Sequence, residues 1–186
     1  MITSMSAETL RLNKNGETLV ITKSAYESGG TVTEFEGSDE PGVGPPCHVH
    51  FMQEEGLQVI KGRLTIRAGN REFVLNEGEE YIFPPGETHK FWNHGTETVH
   101  YRGYVKPSLN YEYFIRQIYL SANKANADKP GPFDAAFLLT RYRSEFDILD
   151  IPKPVKKLIF PLLLIVGKLT GKFKKFADAP LPVKRQ

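Results

Sequence analysis

Hydrophobic and polar residues alternate along much of this chain in short runs that glycine and proline separate. Runs of this kind are typical of half-buried β-strands. Gly62 and the Gly69-Asn70 pair stand between runs, where hairpin turns are expected. Regularly spaced short strands with such turns favour a sandwich or a barrel. The predicted strands cover residues 17–24, 31–36, 57–61, 63–68, 72–75, 80–83, 88–93 and 98–105.

Alternation within the strands also predicts which side chains share the interior, because successive residues point to opposite faces. If Glu55 points inward, every second residue after it does too. On the strand over 88–93, His89 and every second residue after it are expected to point inward. Lys90 and Trp92 then face outward. A single β-bulge in either strand would reverse these faces. The predicted inward residues are Leu57, Val59, Leu64, Ile66, His89, Phe91 and Asn93.

The spacing of hydrophobic positions lengthens in the last part of the chain, which indicates helices. Residues 111–124 carry their apolar side chains at helical spacing, and a second helix is expected over about 133–146. A third segment, 155–176, is apolar at its centre and rich in lysine at both ends. The predicted division is a β-barrel over residues 1–107 and a helical C-terminal extension over residues 108–186.

Composition limits the class of protein. A chain of 186 residues with 40% hydrophobic and 25% charged residues is typical of one globular domain with an appendage. Its single cysteine, Cys47, excludes an internal disulfide, which fits a reducing compartment. The first twelve residues show no basic stretch followed by an apolar run, so no secretory signal is expected. A cytoplasmic location is therefore predicted.

Charge is distributed unevenly along the chain. Residues 1–150 hold 15 basic and 21 acidic residues, whereas residues 151–186 hold 9 basic and 1 acidic residue. Within the basic and apolar segment 153–176, the apolar run is too short to cross a bilayer. Either this segment packs over the barrel or a partner subunit, or it attaches peripherally to an anionic membrane surface. No nucleic-acid motif is present, so no nucleic-acid partner is expected.

Four residues have the spacing of a mononuclear metal site: His48, His50, Glu55 and His89. His48 and His50 are two apart, so both imidazoles project from the same face of an extended segment. Three imidazoles and a carboxylate suit Fe, Mn, Ni, Cu or Zn and leave coordination positions open. Burying them without a cation would cost several kcal/mol, which argues for one bound divalent ion per chain. Glu54 competes with Glu55 on distance alone.

The residues around these four resemble the two signature motifs of the cupin superfamily. The first motif has Gly42, then His48-Val49-His50 after five residues, Glu55 after four and Gly62 after six. The second has Gly78, Pro84-Pro85-Gly86 after five residues, His89 after two and Asn93 after three. Fifteen residues separate the motifs, which is similar to the spacing of small single-domain cupins of the type-2 kind.

The resemblance implies a fold class and a ligand set. The fold is an all-β, cupin-type double-stranded β-helix, or jelly-roll barrel, here followed by a C-terminal α-helical appendage. The implied metal ligands are His48, His50, Glu55 and His89, with Glu55 preferred to Glu54 because six residues precede Gly62. The resemblance also implies a homodimer.

Three functions are consistent with such a site. The first is a metal-dependent dioxygenase that acts on a small organic substrate, with Glu55 as a ligand that also removes a proton from the substrate. The second is a non-catalytic protein that binds a metal or a small molecule. The third is a sugar isomerase or epimerase. Whether the chain is an enzyme stays open at this point.

The predicted pocket lining favours a partly apolar ligand. Arg63 and Arg67 alternate away from the interior, which weakens the case for an anionic sugar phosphate. His94 and His100 are expected to be surface residues rather than ligands. Six further residues either line an apolar pocket beside the metal or form plain barrel core: Phe51, Leu57, Val59, Tyr81, Phe83 and Phe91.

Overall fold

The computed structural model describes residues 8–185 and shows a β-barrel followed by helices. The strands are β1 (Glu8–Arg11), β2 (Thr18–Lys23), β3 (Thr33–Asp39), β4 (His48–His50), β5 (Glu54–Lys61), β6 (Arg63–Ala68), β7 (Arg71–Asn76), β8 (Glu80–Phe83), β9 (His89–Trp92), β10 (Val99–Lys106) and β11 (Phe146–Ile148). The helices are α1 (Tyr111–Lys124), α2 (Pro132–Arg141) and α3 (Phe160–Leu169). A π-helical turn, Val155–Ile159, leads into α3, and a 3₁₀ turn, Lys174–Phe176, follows it.

The strands form two antiparallel sheets that face each other. One sheet has the order β1-β2-β3-β10-β5-β8, and the other has the order β11-β4-β9-β6-β7. Consecutive strands in the chain often lie in different sheets, as in a jelly roll. The predicted fold class, an all-β double-stranded β-helix barrel with a C-terminal helical appendage, is confirmed.

The barrel interior contains the side chains that alternation placed there. Leu57, Val59, Leu64 and Ile66 are each at most 2% exposed, and Phe91 is 5% exposed. Each such side chain stabilises the fold by roughly 1.5–3 kcal/mol relative to an exposed position. The interior is therefore a packed core along most of its length.

The structure corrects the prediction for the end of the second helix. Helix α2 ends at Arg141, and the following residues turn back so that Phe146–Ile148 form strand β11. This strand pairs antiparallel with β4, with Phe146 opposite His50. The backbone N–H and C=O groups of β4 would otherwise lie at a sheet edge without partners, so strand pairing is favoured there over further helix.

Helix α1 packs beside strands β1 to β3 of the six-stranded sheet, along their length. Its buried face includes Tyr111 and Phe114, as its apolar spacing predicts. The Tyr111 ring lies 6.2 Å from the ring of Phe35 in β3, and the Phe114 ring stacks on Phe146 at 4.8 Å. Strand β11 of the extension pairs with β4 and so belongs to a sheet of the barrel. The division at residue 107 stays a prediction.

The C-terminal residues are held across the extension by Glu145, which is fully buried. Its Oε2 accepts a hydrogen bond from the Asn110 backbone N–H at 3.1 Å. Its Oε1 accepts from Asn110 Nδ2 at 2.7 Å and from the Val183 N–H at 2.9 Å. A single carboxylate thus joins the start of α1 to the last residues of the chain.

Candidate metal centre

The four predicted ligands converge on one point near the start of α1, where the Tyr111 ring lies 5.9 Å from that of His50. Glu55 Oε2 lies 3.6 Å from Nε2 of His48, 3.3 Å from Nε2 of His50 and 3.0 Å from Nε2 of His89. One ligand atom from each residue can be chosen so that all lie within 4.8 Å of one another. The cluster can therefore hold a metal ion.

Strand pairing explains this convergence. His48 and His50 are two residues apart on β4, so both rings project into the barrel. His48 is the register partner of His89 on β9, which sets their rings 4.2 Å apart. Glu55 lies on β5 in the opposite sheet and points across the interior toward them.

Hydrogen bonds fix which nitrogen of each ring carries the proton. His48 Nδ1 lies 2.8 Å from the carbonyl oxygen of Pro46, and His89 Nδ1 lies 2.9 Å from that of Glu87. A carbonyl oxygen only accepts, so Nδ1 must be the donor in both rings. Each Nε2 then keeps its lone pair for a metal when the ring is neutral.

Gln53 fixes the ring of His50 in the same way. Gln53 Nε2 donates to the Ser108 carbonyl oxygen at 3.0 Å, which sets the orientation of the amide. Its Oε1 therefore faces His50 Nδ1, at 3.3 Å, and accepts the Nδ1 proton. Gln53 is fully buried. Sequence reasoning did not find this residue, because the partner that orients it lies in a distant part of the chain.

Burial and charge set the protonation of the cluster. The side chains of His50, Glu55 and His89 are between 1% and 5% exposed, and that of His48 is 13% exposed. Burial lowers the pKa of His50 to about 3, so its ring is neutral. Burial opposes ionisation of Glu55, but its contacts with the three histidines outweigh burial and hold the pKa of Glu55 well below its usual range.

This arrangement fits a divalent metal ion. Three neutral imidazoles with Nδ1 protonated would direct three lone pairs at a carboxylate oxygen, and these four atoms repel one another unless a cation or a proton lies among them. Burial alone would lower the pKa of His89, but its contacts with Glu55 raise it. One proton can therefore satisfy one of the three nitrogens, whereas a metal ion satisfies all four donor atoms.

Aromatic rings surround the cluster. Phe83 stacks on His89 with the ring centroids 4.1 Å apart. Two rings from the C-terminal extension lie against His50: Phe146 at 5.2 Å and Tyr111 at 5.9 Å. The extension therefore contributes to the site, which the sequence did not indicate. The sequence pattern of β11 was too short to be recognised as a strand, since β11 is only three residues long.

The six predicted lining residues occupy different surroundings. Phe83 borders the cluster, and Leu57, Val59 and Phe91 belong to the barrel core. Tyr81 is half-buried, and its hydroxyl accepts a hydrogen bond from Arg71. Phe51 is half-buried with the Arg185 guanidinium 3.4 Å from its ring centroid. Their role as pocket lining stays a prediction.

Residues that competed with the predicted ligands lie elsewhere. Glu54 accepts a hydrogen bond from the Tyr104 hydroxyl at 2.7 Å, and the cluster contains Glu55 instead. His94 and His100 are exposed, and so are Arg63 and Arg67. The exposed arginines leave the surroundings of the cluster mostly apolar.

Comparisons with known proteins agree with this architecture. Residues 36–104 match the family described as Cupin domain. An oxidoreductase of Pestalotiopsis fici, iacF, is 27% identical over 101 residues, which cover 49% of this chain and 50% of that protein. The chain thus spans about half the length of this curated relative.

Solved structures are similar to part of this chain, and one with a TM-score of 0.50 has the same fold. A predicted oxalate decarboxylase from Thermotoga maritima is 13% identical, with a TM-score of 0.50 over 56% of this chain and 94% of its own. A sugar phosphate isomerase of the cupin superfamily from Silicibacter pomeroyi is 22% identical, with a TM-score of 0.45 over 54% of this chain and 67% of its own.

Proposed function

We propose that this chain, whose residues 36–104 match the Cupin domain family, is a metal-dependent dioxygenase acting on a small, partly apolar organic molecule. The observation that carries the proposal is the convergence of three imidazole Nε2 atoms on the Glu55 carboxylate. We propose one divalent transition metal ion per chain, held by His48, His50, Glu55 and His89. The donor set accepts Fe, Mn, Ni, Cu or Zn, and oxygenase chemistry requires one of the redox-active four.

The name of one relative supports a redox reaction. The curated protein from Pestalotiopsis fici is called an oxidoreductase, and it aligns with about half of this chain. A redox-active ion bound by the four residues supplies Lewis-acid and one-electron chemistry. The mostly apolar surroundings of the cluster, with Phe83 and Phe146 against the histidine rings, favour a neutral substrate with apolar surface.

The residues of the chain have distinct roles in this proposal. Gln53 and the backbone carbonyls of Pro46 and Glu87 orient the three rings. Glu55 is proposed as a ligand whose carboxylate also accepts the acidic proton of an enol, catechol or diketone. Among the four ligands His48 is the most exposed, so the substrate approaches from its side.

A non-catalytic binding protein is the second candidate. The observation in its favour is the burial of three ligands, since a closed coordination sphere is typical of structural metal sites. A sugar isomerase or epimerase receives less support, because Arg63 and Arg67, which would be available for a phosphate, lie exposed outside the barrel.

Assembly and location belong to the same proposal. We propose a cytoplasmic homodimer formed through the outer face of the six-stranded sheet. Two isoleucines on strands of this sheet, Ile60 and Ile82, are 47% and 48% exposed. A groove of about 650 Å³ on this sheet includes Ile82 and Tyr104.

Elemental analysis of the purified chain tests the metal site. We expect near-stoichiometric Fe, Mn, Ni or Cu in the unmodified chain and none in His50→Ala. His94→Ala is the matched control, because it removes an exposed imidazole and should keep the metal. Loss of metal in His94→Ala with retention in His50→Ala would contradict the ligand assignment.

Oxygen uptake then separates the two candidate functions. The metal-loaded chain is mixed with enols, catechols and diketones, and dioxygen consumption is measured. We expect consumption by the unmodified chain and none by His50→Ala. Stoichiometric Zn, or a redox metal without dioxygen consumption for any substrate, would favour the binding protein.

A further inference from the structure

Helix α3 exposes an apolar face. Six aliphatic side chains on α3 and the turn before it are between 46% and 82% exposed, and Leu169 is the most exposed of them. An isolated exposed leucine needs no explanation, but a contiguous apolar set usually marks an interaction site. We call this set the α3 face: Leu158, Ile159, Leu162, Ile165, Val166 and Leu169.

The opposite side of α3 is packed against the rest of the extension, which fixes the direction of the α3 face. Phe160 and Gly167 are buried, and the Phe173 ring lies where a side chain at position 167 would be. Beyond the helix, the Phe176 ring stacks on Phe137 of α2 at 4.4 Å. These contacts hold the helix so that the α3 face points away from the barrel.

Ion pairs hold the helix near both ends. Before α3, Lys156 Nζ lies 2.5 Å from the carboxylate of Asp147 in β11. After α3, Lys175 Nζ lies 2.5 Å from Asp134 of α2. These ion pairs and the packing of α3 therefore keep the α3 face exposed to solvent.

Positive charge borders the α3 face. Segment 153–176 contains seven lysines and no acidic residue. Lys153 and Lys157 are exposed before the helix, and Lys168 and Lys174 are exposed near its end. Among residues 8–185, no acidic side chain forms a salt bridge with these four lysines. Their charge is available to an external anion.

We propose that the α3 face docks on an anionic lipid surface, with the helix lying in the plane of the membrane. Leucine, isoleucine and valine side chains insert among the acyl chains while the bordering lysines contact lipid phosphates. Across the described residues, the helices fall short of the length and apolar character needed to cross a bilayer. The docking is peripheral.

Charge favours a lipid surface over a second copy of the chain. Two copies joined through the α3 face would bring their lysine-rich segments together without acidic residues in either segment to offset them. Like charges oppose that contact. An anionic bilayer offers both apolar surface and the complementary charge, and this interaction weakens as salt screens it.

Vesicle co-sedimentation of the full chain tests the proposal. We expect binding to phosphatidylcholine vesicles that contain phosphatidylglycerol, and little binding to phosphatidylcholine alone or at high salt. The double variant Leu162→Glu, Ile165→Glu should lower the partition coefficient by about tenfold or more. Its matched control, Val74→Glu with Leu120→Glu, changes two exposed apolar residues elsewhere and should bind as the unmodified chain does.

A charge-matched pair of variants separates the effect of the lysines near α3 from the effect of net charge. Lys157→Glu with Lys168→Glu should lower binding by about tenfold. Lys14→Glu with Lys61→Glu changes net charge equally at exposed sites away from α3 and should lower it less. Equal loss in both would show attraction by net charge alone and overturn the proposal.

Two further results would overturn it. One is a chain that stays in the supernatant with anionic vesicles at low salt. The other is self-association, measured by analytical ultracentrifugation, that Leu162→Glu with Ile165→Glu abolishes, because the α3 face would then bind a second copy. Circular dichroism checks that every variant is folded.

Discussion

Gln53 presents its amide oxygen to Nδ1 of His50 at 3.3 Å. This contact depends on a third group, the Ser108 carbonyl, which accepts from the other end of the same amide. Ser108 lies between the last barrel strand and α1, so the link from barrel to extension also orients a metal ligand. Partners of this kind are important for metal affinity because they set the tautomer and direction of the ligand ring.

Replacing Gln53 should weaken metal binding without removing a ligand. We expect Gln53→Ala to lower the affinity by about 10- to 100-fold, as is typical when such a partner is lost. Competition with a coloured chelator measures the affinity. Gln58→Ala, on the neighbouring strand β5, is the control and should leave the affinity unchanged. Equal affinity in Gln53→Ala would show that the His50 ring is oriented by other contacts.

Phe146 connects the extension to the site and should be important for stability. The side chain is 3% exposed and packs on both His50 and Phe114. Truncation of a buried phenylalanine leaves a cavity, so we expect Phe146→Ala to lower the free energy of unfolding by about 3–5 kcal/mol. Urea denaturation measures it. Tyr26→Ala, at an 86% exposed ring, should change it by less than about 0.5 kcal/mol.

Asp39 is a buried acid at the C-terminal end of strand β3. It is fully buried, and neither carboxylate oxygen has a hydrogen-bond partner among residues 8–185. Burial, with the nearby charge of Glu17, raises the pKa of Asp39 to about 8. The side chain is therefore protonated in the folded protein at neutral pH.

This shift predicts how stability depends on pH. The unfolded chain releases the Asp39 proton near the ordinary pKa of 3.8, whereas the folded chain keeps it up to about 8. Its contribution to stability is thus present below pH 4 and is lost as pH rises to about 8. An asparagine does not titrate, so Asp39→Asn does not lose stability as the pH rises. We expect this variant to be more stable than the unmodified chain by several kcal/mol at pH 8 and about equally stable at pH 4.

Denaturant unfolding of both chains across this pH range measures the difference. The exposed carboxylate Glu36 lies on the same strand, so Glu36→Gln is the control and should follow the unmodified chain. Parallel curves for Asp39→Asn and the unmodified chain would mean that Asp39 is ionised in the folded state.

Glu145 should hold the C-terminal residues in place. Glu145→Gln turns one acceptor into a donor that faces the Asn110 N–H, and an unsatisfied buried donor costs about 1–3 kcal/mol. We expect that loss in urea denaturation, together with faster proteolysis after Lys184. Asp128→Gln, in the loop before α2, is the control. Unchanged proteolysis of Glu145→Gln would show that the tail is held by other bonds.

Local pattern was sufficient for some strands of the barrel. Alternation and turn glycines predicted β6 and β8 at their observed bounds, because one face of each strand is buried and the other is more exposed. Gly62 adopts the positive φ, 91°, of the expected turn between β5 and β6. The spacing of His48, His50, Glu55 and His89 was sufficient to identify the residues that converge.

Elements that depend on distant partners could not be predicted in this way. Strands β1 and β11 have four and three residues, too few for a period to be detected, and each forms through pairing with another strand. The role of Gln53 depends on a carbonyl 55 positions along the chain. Its residue type alone does not distinguish it from an ordinary polar side chain in a turn.

The pairing of β11 with β4 has a consequence for synthesis on the ribosome. His48 and His50 emerge early, but the strand that lies beside them, Phe146–Ile148, is translated much later. Contacts so distant in sequence form slowly, after the intervening chain is available. A nascent chain therefore carries its histidines on an incompletely paired strand until the residues of β11 have been translated, and the ligand cluster becomes fully enclosed only when the extension has folded back onto the barrel.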